Sequence, residues 1–135
     1  MAMELGVTPI FASGCLAFTK EAEALVPGIG AVAVKFGVSP GSGDEMSVQE
    51  YEKKNLGAIH IHPEKVRKMI KKGAYDALEK YKADPKSFIL PDIKPPYVYQ
   101  VTIRPDGDKK GYKYRTVHPT SAIQVLLGNG ETTYE

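Results

Sequence analysis

The amino-acid sequence predicts an α/β fold: a βαβ unit with parallel strands, then a long amphipathic helix and a C-terminal antiparallel hairpin. Three observations carry this expectation. Two apolar runs, residues 7–12 and 31–36, flank the helix-forming stretch 20–26, and strand, helix and strand within about thirty residues make a βαβ unit with a right-handed crossover. Apolar residues then recur at three/four spacing from Val66 to Tyr81, the mark of one buried helix face. Finally, two alternating runs, 97–104 and 112–117, flank Pro105-Asp106-Gly107-Asp108, a strong hairpin signal.

Each element has its own local reason. Residues 1–5 have the character of a last helical turn, with Gly6 ending it in the left-handed region. The run 7–12 holds Val7, Ile10 and Phe11, which suits a strand buried on both faces. Pro9 cannot donate to a central ladder, so it places the strand at an edge or lies near its start. Ser13-Gly14 signals a turn at the strand's carboxyl end. Thr19 is a plausible cap for the helix over 20–26, which Pro27-Gly28 stops.

After the second run, the Gly-, Ser- and Pro-rich stretch 37–44 predicts a loop. Ser47-Val48-Gln49-Glu50 is a capping box, so a short helix is expected to about Asn55, ending at Gly57. Residues 58–61 follow as a brief extended segment. His62-Pro63 then opens the longest helix, proline being tolerated at the first helical position. Its buried face is Val66, Met69, Ile70, Ala74, Ala77, Leu78 and Tyr81; Lys65, Lys68, Lys71, Lys72, Asp76 and Glu79 take the other. Residues 84–96 form a proline-punctuated connection. A short apolar helix over 119–127, stopped by Gly128-Asn129-Gly130, closes the expected list.

Composition excludes several classes. The chain has 135 residues, 42% apolar and 25% charged, which suits one globular domain spanning 1–135. The net charge of +2 gives no general pull toward nucleic acid. No apolar run approaches the roughly 20 residues of a membrane span, and no leader pattern precedes a small-residue cleavage site. A single cysteine, Cys15, excludes an internal disulfide and fits a reducing, cytoplasmic compartment. The expectation is no nucleic-acid and no membrane partner.

Few residues carry chemistry. His60 and His62 flank Ile61, so in an extended segment both rings face one way, as two zinc ligands would. Asp44, Glu45 and Glu64 offer carboxylates nearby. The plainer reading makes His62 a helix N-cap. Cys15 lies just past a strand end and before a helix, where a thiol can become nucleophilic, but no histidine stands close to it in sequence. The glycines at 37, 41 and 43 match neither the P-loop nor the dinucleotide fingerprint. The helix from Glu64 to Lys82 carries seven basic and three acidic residues, which read as a solvated face. Tyrosines 97, 99, 112 and 114 lack interleaved arginines and read as cross-strand packing pairs.

Several of these segments, taken in order, resemble a known family. Gly6-Val7-Thr8-Pro9-Ile10, Ser13-Gly14, Glu21-Ala22-Glu23-Ala24-Leu25-Val26-Pro27-Gly28, Ala33-Val34-Lys35, His62-Pro63 and Pro95-Pro96-Tyr97 resemble the second half of the zinc-dependent D-aminopeptidases of the dipeptide-transport-associated type. The likeness spans roughly residues 5–100 and fades after about Ile103. Residues 5–36 accordingly have the character of the middle of a larger α/β enzyme. Cys15 stands where the family usually carries aspartate. The family's Asp-x-Glu, histidine and glutamate ligands and its catalytic histidine precede the matching region, so none transfers to a residue here.

The resemblance implies a peptide-hydrolase scaffold, inactive alone or one half of a split enzyme. It implies no cofactor in this chain alone, and zinc only if a partner supplies the site. Homo-oligomers, or a partner subunit carrying the metal, are expected, with a small peptide as substrate. The alternative is a non-catalytic oligomerising or small-ligand-binding protein. Ser13, Cys15 and Lys35 are the expected ligand contacts, because open α/β sheets bind ligands at the carboxyl ends of their strands. No catalytic residue is assigned; His60 and His62 are the only metal candidates.

Overall fold

A computed structural model describes residues 2–54 and 56–135; the expected ends at Met1 and Asn55 lie outside the described residues. The chain is mixed α/β, with two three-stranded sheets. In the first, β1 (Phe11–Cys15) and β2 (Gly30–Gly37) run parallel, with Phe11 opposite Gly30 and Gly14 opposite Ala33. The crossover between them is α1 (Leu16–Leu25). After α2 (Val48–Lys54), the short strand β3 (Ala58–His60) pairs antiparallel with the end of β2. The order β1-β2-β3 leaves β1 at an edge.

The long helix α3 (Pro63–Ala83) packs on β2 and β1. Small residues set how closely it lies. A Cβ on Gly73 would stand 2.6 Å from Val32 Cγ2 and 2.9 Å from Phe11 Cε2, and one on Gly30 would stand 2.9 Å from the Ala77 Cβ. Backbone therefore fills space that a side chain would hold apart. Ala77 is among the most buried residues, with Val26, Phe88 and Val125. At the helix's far end Tyr81 meets Phe88 edge-on at 5.8 Å, and the Lys80 ammonium sits 4.8 Å over the same ring. These contacts tie the connection after α3 back onto the helix. The opposite face is solvated as expected: Lys68–Glu64 and Lys82–Glu79 pair at 2.9 Å on the surface, where such pairs contribute little. Leu78, expected on the buried face, is 43% exposed.

The second sheet has the order β4-β5-β6, all antiparallel. β4 (Tyr97–Ile103) and β5 (Tyr112–His118) form the expected hairpin around Gly107. α4 (Ala122–Leu126) packs on both strands, and β6 (Glu131–Tyr134) adds a third. Tyr99, Tyr112, Tyr114 and Tyr134 cluster with ring centroids 6.0–6.5 Å apart, so three of the four expected tyrosines pack across strands, joined by Tyr134 in place of Tyr97.

Polar contacts join segments that flank the first sheet to segments that flank the second and to the connection after α3. The Arg104 guanidinium lies 4.0 Å over the Tyr51 ring and donates to the carbonyls of Gly43 and Met46. The Glu4 carboxylate accepts from the Ser121 hydroxyl at 2.5 Å and from the Ile123 N–H at 2.9 Å. Pro27 accepts from the Ile89 N–H at 2.9 Å.

The expected boundaries need four corrections. The first strand is Phe11–Cys15, not 7–12; Pro9 lacks the N–H that an earlier start would use. Ser13-Gly14 is therefore strand and not turn, and the missing side chain at Gly14 makes room for the Phe18 ring. The first helix begins at Leu16 with Cys15 as its N-cap. Thr19 lies buried inside it, donating its hydroxyl to the Leu16 carbonyl at 2.9 Å, so it caps nothing. β6 had no sequence expectation at all.

Two predictions follow from this packing. Gly73→Val must push α3 off Val32 and Phe11, and should lower stability by about 1–3 kcal/mol in urea unfolding. Gly37→Ala, with open space at its Cβ, should change it far less. The second concerns acid. The Ser121 hydroxyl, with the Ile123 and Ala122 amides, holds the Glu4 carboxyl below its ordinary 4.5, against an opposing desolvation. The unfolded state thus takes up this proton first as acid is added. The contribution is whole above the ordinary value and is lost as pH falls through the lower folded value. Glu4→Gln should flatten the acid side of the stability curve while leaving its slope near neutrality unchanged, measured by thermal melts across pH.

Candidate functional site

The carboxyl ends of β1 and β2 meet at one opening. A cavity of about 360 Å³ lies there, lined by Cys15, Lys35, Ser39, Gly41, Lys54 and neighbouring backbone. Cys15 closes β1 and caps α1 in extended conformation (φ −70°, ψ 160°), with no side-chain hydrogen bond to the helix's free N–H groups. Those groups carry the positive end of the helix dipole.

Lys35 reaches the same end through a register irregularity. Gly14 pairs with Ala33, but Cys15 pairs with Lys35, so β2 has one more residue than β1 here. Such a bulge re-aims side chains near a strand's end. Lys54 arrives from the end of α2, its ammonium bonded to the Gly41 carbonyl and closing the loop over the opening. The capping box that starts α2 forms as expected: the Ser47 N–H donates to the Glu50 carboxylate at 2.9 Å, and the Glu50 N–H donates to the Ser47 hydroxyl at 3.4 Å. Two ammonium groups and a helix N-terminus around one cavity favour a small anion, such as a carboxylate.

The three expected contacts separate. Cys15 and Lys35 come together at the cavity, whereas Ser13 is exposed in mid-strand and does not line it. Lys54 was missed, because nothing in the sequence ties residue 54 to a strand end some twenty residues earlier.

The histidines serve mostly as caps. His60 ends β3 opposite Lys35, which in turn lies opposite Cys15. Cys15 and His60 are thus two strands apart, about 10 Å between backbones, with Lys35 in the row between them. This spacing does not make a thiol–imidazole pair. His62 has left the strand; its Nδ1 accepts from the Glu64 N–H at 3.3 Å as the N-cap of α3. His118 Nδ1 accepts from the Thr120 and Ser121 N–H groups at 3.3 and 2.9 Å. Of the nearby carboxylates, Glu64 pairs with Lys68, and Asp44 accepts from Ser42 and faces Arg104 at 3.5 Å. Among the described residues, no group of three or more His, Cys, Asp or Glu gathers as metal ligands. His60 ends β3 while His62 lies beyond it as the cap of α3, so the two do not share one strand face as the sequence implied.

No helix among the described residues is long and apolar enough to cross a membrane. Comparison with protein-family models, with curated proteins and with solved structures finds no match to this chain.

Proposed function

We propose that this chain is a D-aminopeptidase-like peptide-hydrolase subunit whose part is to hold a small peptide by its carboxylate. What supports the reading is the gathering of Lys35 and Lys54 beside the free N-terminus of α1 at the carboxyl ends of β1 and β2. A small peptide presents one terminal carboxylate, and a compact cationic pocket selects for it without needing to recognise side chains. Cys15 borders the pocket as a free thiol, which suits a reducing, cytoplasmic setting. In this reading the hydrolytic metal belongs to a partner subunit. A non-catalytic ligand-binding protein is the second reading, and the same pocket favours it equally.

The test uses the purified chain, zinc and a D-alanyl chromogenic amide, with a chelator control. No turnover is expected from the chain alone; chelator-sensitive turnover would show that it builds its own metal site and contradict the proposal. In parallel, titration calorimetry with D-alanyl-D-alanine should detect binding that Lys35→Ala weakens about tenfold, the loss of one charge-assisted contact. Binding unchanged by Lys35→Ala would remove the pocket from the account. Binding without any turnover after a metal-carrying partner is added would favour the second reading.

A further inference from the structure

Arg104 is 61 residues from Gly43 in sequence, just past the end of β4, yet it holds the segment that brings Lys54 to the cavity. Its guanidinium lies 4.0 Å over the Tyr51 ring of α2. The same group donates to the Gly43 carbonyl and, at 3.1 Å, to the Met46 carbonyl. The side chain is 24% exposed, whereas the Asp44 carboxylate paired with it at 3.5 Å is 84% exposed. Such an open ion pair contributes little, so the ring and the two carbonyls fix the guanidinium. A planar guanidinium can stack flat on a ring while its edge reaches acceptors, which a lysine ammonium cannot do.

What Arg104 holds leads directly to Lys54. Gly43 is buried in the left-handed region (φ +73°), where a Cβ would stand 3.0 Å from Tyr51 Cδ2 and 3.2 Å from Lys54 Cδ. The Lys54 stem therefore lies against the glycine whose carbonyl Arg104 binds. Tyr51, under the guanidinium, precedes Lys54 by one turn on the same side of α2. Beyond its stem, the Lys54 ammonium bonds the Gly41 carbonyl, and both residues line the cavity. Lys35 arrives by a separate route, from β2. A free lysine side chain loses rotamer entropy when it grips a ligand, and a lysine already seated loses less.

We propose that Arg104 is a positioning residue for the cationic cavity: from the second sheet it clamps residues 43–51, so that Lys54 presents its ammonium at the opening. Arg104 touches no ligand itself and acts through Gly43 and Tyr51. The hairpin of β4 and β5 thereby governs affinity at a site built on the first sheet. Its effect on binding rests on the reading of the cavity as a carboxylate site; the seat of Lys54 does not.

Two measurements on the full chain separate the seat from the ligand. The first is brief acetylation with an N-hydroxysuccinimide ester, read at each lysine by mass spectrometry. Lys80 is the internal control, since it too donates to a backbone carbonyl, that of Gly28 at 2.6 Å. Arg104→Met should raise the rate at Lys54 severalfold and leave Lys80 unchanged. Arg104→Lys, which keeps the charge without the planar stack, should behave like Arg104→Met. An unchanged Lys54 in both variants would overturn the proposal. So would Lys54 and Lys80 rising together, because Arg104 would then support the whole fold. The second measurement is titration calorimetry with D-alanyl-D-alanine. Arg104→Met should weaken binding about fivefold, the cost of ordering one long side chain, and should add nothing in a Lys54→Met background. An equal loss in that background would also overturn the proposal, by showing that Arg104 does not act through Lys54. A wild-type chain that binds no D-alanyl-D-alanine, with the acetylation result as expected, would remove the carboxylate reading and support the seat of Lys54.

Discussion

The close approach of α3 to the first sheet is the constraint on which the rest depends. Gly73 and Gly30 remove the side chains that would otherwise hold helix and strand apart, and Ala77 fills the gap between them. Once α3 is seated, β2 is held in place beneath it and β1 is held against β2. The thin core makes this contact the more important. Among the described residues no large side chain is fully buried, and Val26, Ala77, Phe88 and Val125 are the most enclosed apolar ones. Dispersion and burial scale with such contacts, so few places in the chain can replace the α3 interface.

Different features occupy different parts of the same two strands. Their carboxyl ends turn inward to form a small cationic cavity around Lys35 and Lys54. The side of β1 turned away from β2 is uncharged, with no backbone partner among the described residues. A polar end and an apolar edge can coexist on a five-residue strand because side chains alternate across the sheet while backbone bonds alternate within its plane. The bulge that places Lys35 opposite Cys15 is what brings the first lysine to the cavity.

Much of the fold was legible in the sequence wherever one residue dictates its neighbours' backbone. Ser47 and Glu50 fix one helix start through reciprocal hydrogen bonds, and His62 fixes another by accepting from the Glu64 N–H beyond Pro63; both form as the spacing implies. Asp-Gly at 106–107 fixes the hairpin turn. Legibility failed where tertiary contact decides. Ser13-Gly14 carries a turn signal, yet Gly14 is strand because the Phe18 ring occupies the space over it. β6 is four exposed residues after a Gly-Asn-Gly stop, and only its pairing with β5 makes it a strand. The candidate site was half legible. Strand ends pointed to Cys15 and Lys35, but the bulge and the placement of α2 that delivers Lys54 leave no local trace.

Amide hydrogen exchange followed residue by residue tests the central claim most directly, because it ranks elements by the free energy of opening them. If the seat of α3 on β1 and β2 is the organising contact, the slowest amides should be those of Ala12, Gly14, Gly30 and Val32, together with the middle of α3. Slowest exchange in β4 and β5, with the first sheet opening early, would mean that the hairpin is the stable nucleus and that the α3 interface depends on it.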